Sequence, residues 1–119
     1  MVMKEADIVI TVLPQDGYQK RMPVLILSKL PGIYNDFLVC SISSQLQQYI
    51  KGFDLLLDTD ADFFEDTGLL QSSIIRLGCL AVLPSSQLQG SIGYLRKPQF
   101  EILINNLSSH LITSARQSL

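Results

Sequence analysis

The residues of this 119-residue chain with the clearest chemical use are a lysine, two arginines and a pair of serines. Lys20 and Arg21 stand just before an apolar stretch, Met22 to Ser28. Ser43, Ser44 and Gln45 stand just after a second, Asp36 to Ile42. Arg76 interrupts a third, Ile74 to Leu83. Cations at one rim of apolar segments, with hydroxyls and an amide at another, are groups that hold an anion. A guanidinium offers a phosphate or carboxylate two parallel donors, and a hydroxyl adds a third. Each group also has a plainer use. An arginine within a strand can face solvent, and serines after a strand are turn formers.

Other chemistry is weakly indicated. The segment from Asp58 to Asp66 is acidic, but as a calcium loop it would need glycine where Phe63 stands and glutamate where Leu69 stands. It reads as a solvated loop that also repels nucleic acid from one face. His110 is the only histidine and falls on a predicted helix far from the cations, so a surface or structural role fits it. Cys40 and Cys79 both fall in predicted buried strands, as small apolar residues of a reducing compartment do. Cysteine pairs at metal-site spacing, a glycine-rich phosphate loop and an HExxH motif are missing, so neither metal nor cofactor is expected.

The net charge of −2 hides an uneven distribution. Six of the eleven acids lie between Asp54 and Asp66, and the remainder of the chain carries +4. The total therefore does not exclude nucleic acid. Apolar runs stay well short of the ~20 residues of a membrane span. The opening residues MVMKEAD lack the apolar centre of a secretory signal. A cytoplasmic protein without membrane contact is expected, folding as one domain over residues 1–119.

The elements that must position the cations are short strands. Ala6–Leu13 reads as a strand ended by Pro14, with a loop from Gln15 to Arg21 in which Asp16-Gly17 is a hairpin signal. Met22–Ser28 and Asp36–Ile42 follow, separated by the Leu30-Pro31-Gly32 turn. Phe53–Leu57, Leu69–Ser72 and Ser91–Leu95 read as short strands. Ile74–Leu83 is the longest, with Gly78 marking a bulge or bend. Pro98 opens a helix whose Phe100, Leu103, Ile104, Leu107 and Leu111 share one face, and the tail after Thr113 is expected to fray. The pattern predicts a small, strongly curved antiparallel sheet capped by a C-terminal helix, either a barrel or a sandwich.

These residues carry a resemblance. Asp7-Ile8-Val9 resembles the opening GD-I-V strand of the MazF/PemK toxins, with Ala6 where glycine is usual. Lys20 to Ser28 resembles their K-x-R-P-V-L-V-L-S strand, and Ile42-Ser43-Ser44-Gln45 their I-T-S-Q turn. Gly68-Leu69 with Ser72 to Leu83 resembles a later block built around an arginine, and Gly90 to Leu95 with the helix resembles the close. The resemblance implies a mainly β fold, a small SH3-like barrel with a C-terminal helix, usually homodimeric. It implies the toxin of a type II toxin–antitoxin system: a metal-independent endoribonuclease on single-stranded RNA, restrained by an antitoxin peptide. It implies catalytic roles for Arg21, Ser43 and Arg76, with Lys20, Ser44, Gln45 and Asp16 touching RNA; with Gly78 where one branch of the family carries an aspartate, Asp16 in the loop is a candidate replacement for the base.

The chain departs from the family at two positions. The arginine that should precede Pro23 is replaced by Met22, so Arg21 sits one residue early, which in a strand turns it to the other face. The aspartate that one branch carries two residues after the later arginine is Gly78. The alternative implied is a weak or inactive relative that docks an antitoxin peptide or RNA.

Overall fold

The structure, a computed structural model, describes residues 3–15 and 17–118, and the side chains of residues 13–15 and 18 lie outside that description. Asp16, the candidate base and RNA contact, therefore lies outside the described residues. Six strands form one antiparallel sheet: β1 (Asp7–Gln15), β2 (Tyr18–Lys29), β3 (Asp36–Ser43), β4 (Leu55–Leu57), β5 (Ser73–Pro84) and β6 (Leu88–Tyr94). Their order across the sheet is β4-β5-β3-β2-β1-β6. Among the described residues a single long helix, α1 (Lys97–Ser118), follows.

Both faces of the central strands are apolar, which is why they read as continuous hydrophobic runs rather than alternating ones. Ile8, Leu25, Cys40 and Ile42 point to one face, where they pack with Ile75, Leu77 and Leu103 of α1. Their neighbours Val9, Val24, Ile26 and Val39 point to the other and pack with Phe37 and Leu88. This is the two-residue period of a pleated strand used twice.

Several strands differ from the sequence expectation. Pro14 does not end β1, and β2 begins at Tyr18 rather than Met22. Gln15 pairs with Tyr18 across a tight turn in which Gly17 holds φ +84°, so the expected loop is mostly hairpin. Beyond Thr11, β1 pairs with β2 alone, and a strand with a free edge tolerates proline. Ala6 holds φ +72°, a conformation that glycine adopts without steric cost. Residues 69–72 are not a strand; they form a loop.

Strand pairing does not close the sheet. Among the described residues the edge strands β4 and β6 do not pair with each other. Instead, β6 packs against the short 3-10 turn Glu65–Thr67. A Cβ on Gly93 would sit 2.3 Å from the Asp66 carbonyl oxygen, and one on Gly68 would sit 2.0 Å from the Ile92 carbonyl oxygen. The contact is thus backbone to backbone, and only glycine allows that approach. The closed barrel expected from the resemblance is therefore not formed by strand pairing: the sheet stays open between β4 and β6, and this turn lies against β6.

The helix packs Leu103, Phe100, Ile104 and Leu107 on the core. Asn106 Nδ2 ties it to the carbonyl oxygen of Phe53 at 3.0 Å. Leu111, expected on the same stripe, is exposed. The helix also runs on through Ser118 instead of fraying at Thr113. Ala115, Arg116 and Gln117 are good helix formers, and Arg116 in the last turn suits the dipole. No helix of the described residues is long and apolar enough to cross a membrane.

Candidate functional site

The open side of the sheet holds a cleft of about 530 Å3. It collects side chains from separate parts of the chain: Lys20 and Arg21 of β2, Ser43 at the end of β3 with Ser44 and Gln45 after it, and Arg76 of β5. Every described residue that the sequence marked as a candidate for catalysis or RNA contact borders this one space.

The pairing of β2 explains how Arg21 arrives there. β2 pairs with β3 only from Val24 onward, whereas it pairs with β1 from Tyr18 to Leu25. Residues 20–23 therefore present a free edge to the cleft, and Lys20, Arg21, Met22 and Pro23 all line it. Strand alternation, which would turn Arg21 away from a flat sheet face, does not exclude a residue from a cleft bounded by the strand's edge. Met22, at the family's arginine position, is half-buried beside it.

On the far wall Arg76 lies directly across from Ser41. Arg76 is half-buried and lines the cleft. Among the described residues no carboxylate comes within 4.0 Å of Lys20, Arg21 or Arg76; the ion pairs lie elsewhere, Arg96 with Asp62 and Asp66, and Lys97 with Glu101. Three cations bordering one cleft, with no described counter-charge, form a site for an anion.

Ser43 serves as the turn former expected of it. Its Oγ accepts the N–H of Gln45 at 3.1 Å and donates to Gln48 Oε1 at 3.3 Å. This is the turn-former's role, and the long second bond leaves a donor that can turn to a bound oxygen. Gln45 Oε1 accepts from Gln47 Nε2 at 2.9 Å.

Not every acid between residues 54 and 66 is solvated, although Asp54 lies before the stretch read as a solvated loop. Asp54 is buried and accepts two backbone N–H groups, from Ile50 at 3.0 Å and from Leu77 at 3.1 Å. Asp66 holds Arg96 Nε at 2.7 Å, which strengthens that guanidinium's hold on its proton. Asp58, Asp60 and Glu65 are exposed as expected. His110 packs edge-on against Phe53, ring centres 5.3 Å apart, on the outer helix.

One expectation is overturned. Cys40 is fully buried, and burial pushes its thiol far up from the ordinary range, but Cys79 is exposed and lines the cleft. The reason is a bulge. Arg76 faces Ser41 and Leu80 faces Cys40, so three residues of β5 stand between two adjacent residues of β3. Leu77 turns into the core while Gly78 and Cys79 swell outward. Gly78 signalled the bend, but a bend says nothing about which neighbour it turns out. Ser41, Gln71, Ser73 and Ile92 also line the cleft without having been singled out; they come from ordinary strand and loop stretches that carry no motif.

A small curved antiparallel sheet with a C-terminal helix and a cleft lined by three cations defines a compact, mainly β protein. Residues 4–111 match the PemK-like, MazF-like toxin of type II toxin–antitoxin systems, and the chain belongs to that family. Two solved structures share the fold. One, the Mycobacterium tuberculosis toxin MazF-mt6, has a TM-score of 0.62 and 24% identity over 87% of this chain and 93% of that one. The other, an endoribonuclease in complex with its cognate antitoxin from Mycobacterial species, has a TM-score of 0.67 and 12% identity over 92% of this chain and 95% of that one. No curated protein matches the chain.

Proposed function

We propose that this toxin-family chain is a metal-independent endoribonuclease that cleaves single-stranded RNA in the cytoplasm. The observation that carries this reading is the convergence of Lys20, Arg21 and Arg76 with Ser43 on one cleft. The chemistry needs cations around the scissile phosphate, whose charge grows as the 2′-oxygen attacks. Arg76 and Arg21 supply them, Ser43 adds a hydroxyl donor, and Lys20, Ser44 and Gln45 hold the flanking backbone. The endoribonuclease with the same fold, solved with its antitoxin, supports both the activity and an antitoxin peptide as the restraining partner.

A second reading has its own support. Met22 stands at the family's arginine position, and among the described residues no carboxylate lines the cleft. Both suit a protein that docks RNA or an antitoxin peptide and cleaves slowly or not at all. Incubating the chain with a long single-stranded RNA and excess chelator separates the two. Fragments with 5′-hydroxyl ends are expected. Cleavage by Met22→Arg alone would mean a scaffold disarmed at one position, and silence from both would leave the docking reading.

We also propose a homodimer. Beyond Leu77, β5 pairs only with β3, because β4 covers residues 73–75 alone. The free edge exposes Leu80 by 43% and Val82 by 53%. An apolar, unpaired strand edge is a liability unless something covers it, and a second copy offers the same edge in return. Sedimentation at micromolar concentration is expected to give twice the monomer mass, and Val82→Lys to shift it toward monomer. A natural chain that sediments as monomer throughout would rule this out.

A further inference from the structure

We propose that Cys79 is the group that takes the proton from the attacking 2′-hydroxyl of RNA, a role that rests on the endoribonuclease reading above. The placement is built by the β5 bulge. Residues 77–79 are extra relative to β3, and the bulge is held from beneath by Asp54 Oδ1, which accepts the Leu77 N–H at 3.1 Å. Cys79 then stands outward at the cleft wall, where Ser41 Oγ donates to its Sγ at 3.1 Å. Ser41 is also the cross-strand partner of Arg76. One serine thus hydrogen-bonds the thiol and pairs in register with the arginine that would hold the phosphate.

The chemistry of the lining favours the thiol. Among the described side chains of the cleft, the rest are cations, hydroxyls, amides and apolar groups. An arginine does not give up its proton in proteins, and hydroxyls and amides do not accept one near neutrality. A thiolate does, and Ser41 already points a donor at the sulfur. The charged and titratable groups around it are Lys20 and Arg21 on β2, Arg76 on β5, Cys40 on the buried side of β3 and Asp54 beneath the bulge.

The step balances without a cofactor. The Cys79 thiolate takes the 2′-hydroxyl proton and becomes a thiol. O2′ bonds to phosphorus, the bond from phosphorus to O5′ breaks, and O5′ takes a proton from water. The products are a 2′,3′-cyclic phosphate and a 5′-hydroxyl end, and the thiol returns its proton to solvent.

The test compares the natural chain with Cys79→Ser, Cys79→Asp and Asp16→Asn on one long single-stranded transcript, in single turnover across pH. Cys79→Ser is expected to lose at least about 100-fold in rate, while RNA affinity by anisotropy and the melting midpoint stay close to those of the natural chain. Cys79→Asp should recover part of the rate, with the acid limb of its profile displaced downward by several pH units, as a carboxylate replaces a thiol. Iodoacetamide should inactivate the natural chain while sparing the buried Cys40. Cys79→Ser cleaving within threefold of the natural chain would overturn the proposal and leave the endoribonuclease reading standing. Loss confined to Asp16→Asn would overturn it too, placing the base on the hairpin between β1 and β2. A folded natural chain that never cleaves would sink the endoribonuclease reading, and this role with it.

Discussion

Replacing Arg76 with alanine is expected to cut RNA cleavage by about 10²–10³, the usual loss when one donor to a developing charge is removed. Binding should weaken as well, and its salt dependence should become shallower as one phosphate contact disappears. The fold should barely change. Arg76 lines the cleft, and no described carboxylate comes within 4.0 Å of it, so no buried ion pair is broken. A change in stability within about 1 kcal/mol follows. Arg76→Lys should fall between, because an ammonium keeps the charge but not the planar two-pronged donor. Thermal unfolding of the alanine variant, read beside its cleavage rate, decides the matter. A steep fall in melting temperature would mark Arg76 as a structural residue and remove it from the site.

Asp54→Ala should have the largest effect on stability of any change in the acidic segment. The carboxylate is buried and satisfies two backbone N–H groups at once, one at Ile50 and one at Leu77. A hydrogen bond to a charged group contributes about 1.5–3 kcal/mol, and the alanine leaves both donors without an acceptor. A loss of about 3 kcal/mol or more is expected in denaturant unfolding. Asp54→Asn should cost less but not nothing, since its amide nitrogen would oppose one of the two donors. Activity should fall with stability even though Asp54 is not among the residues lining the cleft, because the Leu77 N–H anchors the bulge that turns Cys79 outward and follows directly on Arg76. Amide exchange at Leu77 would report this directly. An alanine variant as stable as the natural chain, with Leu77 still protected, would show that the bulge holds without its carboxylate.

Legibility in the sequence followed how local each cause was. Strands β3 and β5 were found almost to the residue, because an apolar run between turn residues has few other uses. The start of β2 was read four residues late because β2 pairs with β1 out to Gln15 and Tyr18, and the hairpin carries polar residues such as Gln19 and Lys20 along with its strands. Lys20, Arg21, Ser43, Ser44, Gln45 and Arg76 were legible as candidates from residue type and motif. That they border one cleft was not, since they come from β2, from the end of β3 and the loop after it, and from β5.

The sequence by itself determined the curved antiparallel sheet, the helix with Leu103 at its buried face, and the set of cations available to an anion. Those follow from two-residue and helical periodicity and from turn chemistry, all of which act over a few neighbouring residues. Only the tertiary structure decided which side chains meet. It set β6 against the 65–67 turn through Gly68 and Gly93 rather than closing the sheet by strand pairing. It buried Asp54 and tied Arg96 to Asp66 within a segment that composition marks simply as acidic. It also separated two cysteines of similar local sequence, one into the core and one onto the cleft. The register of β5 against β3 makes that choice, and register is a property of two strands that neither strand's sequence contains alone.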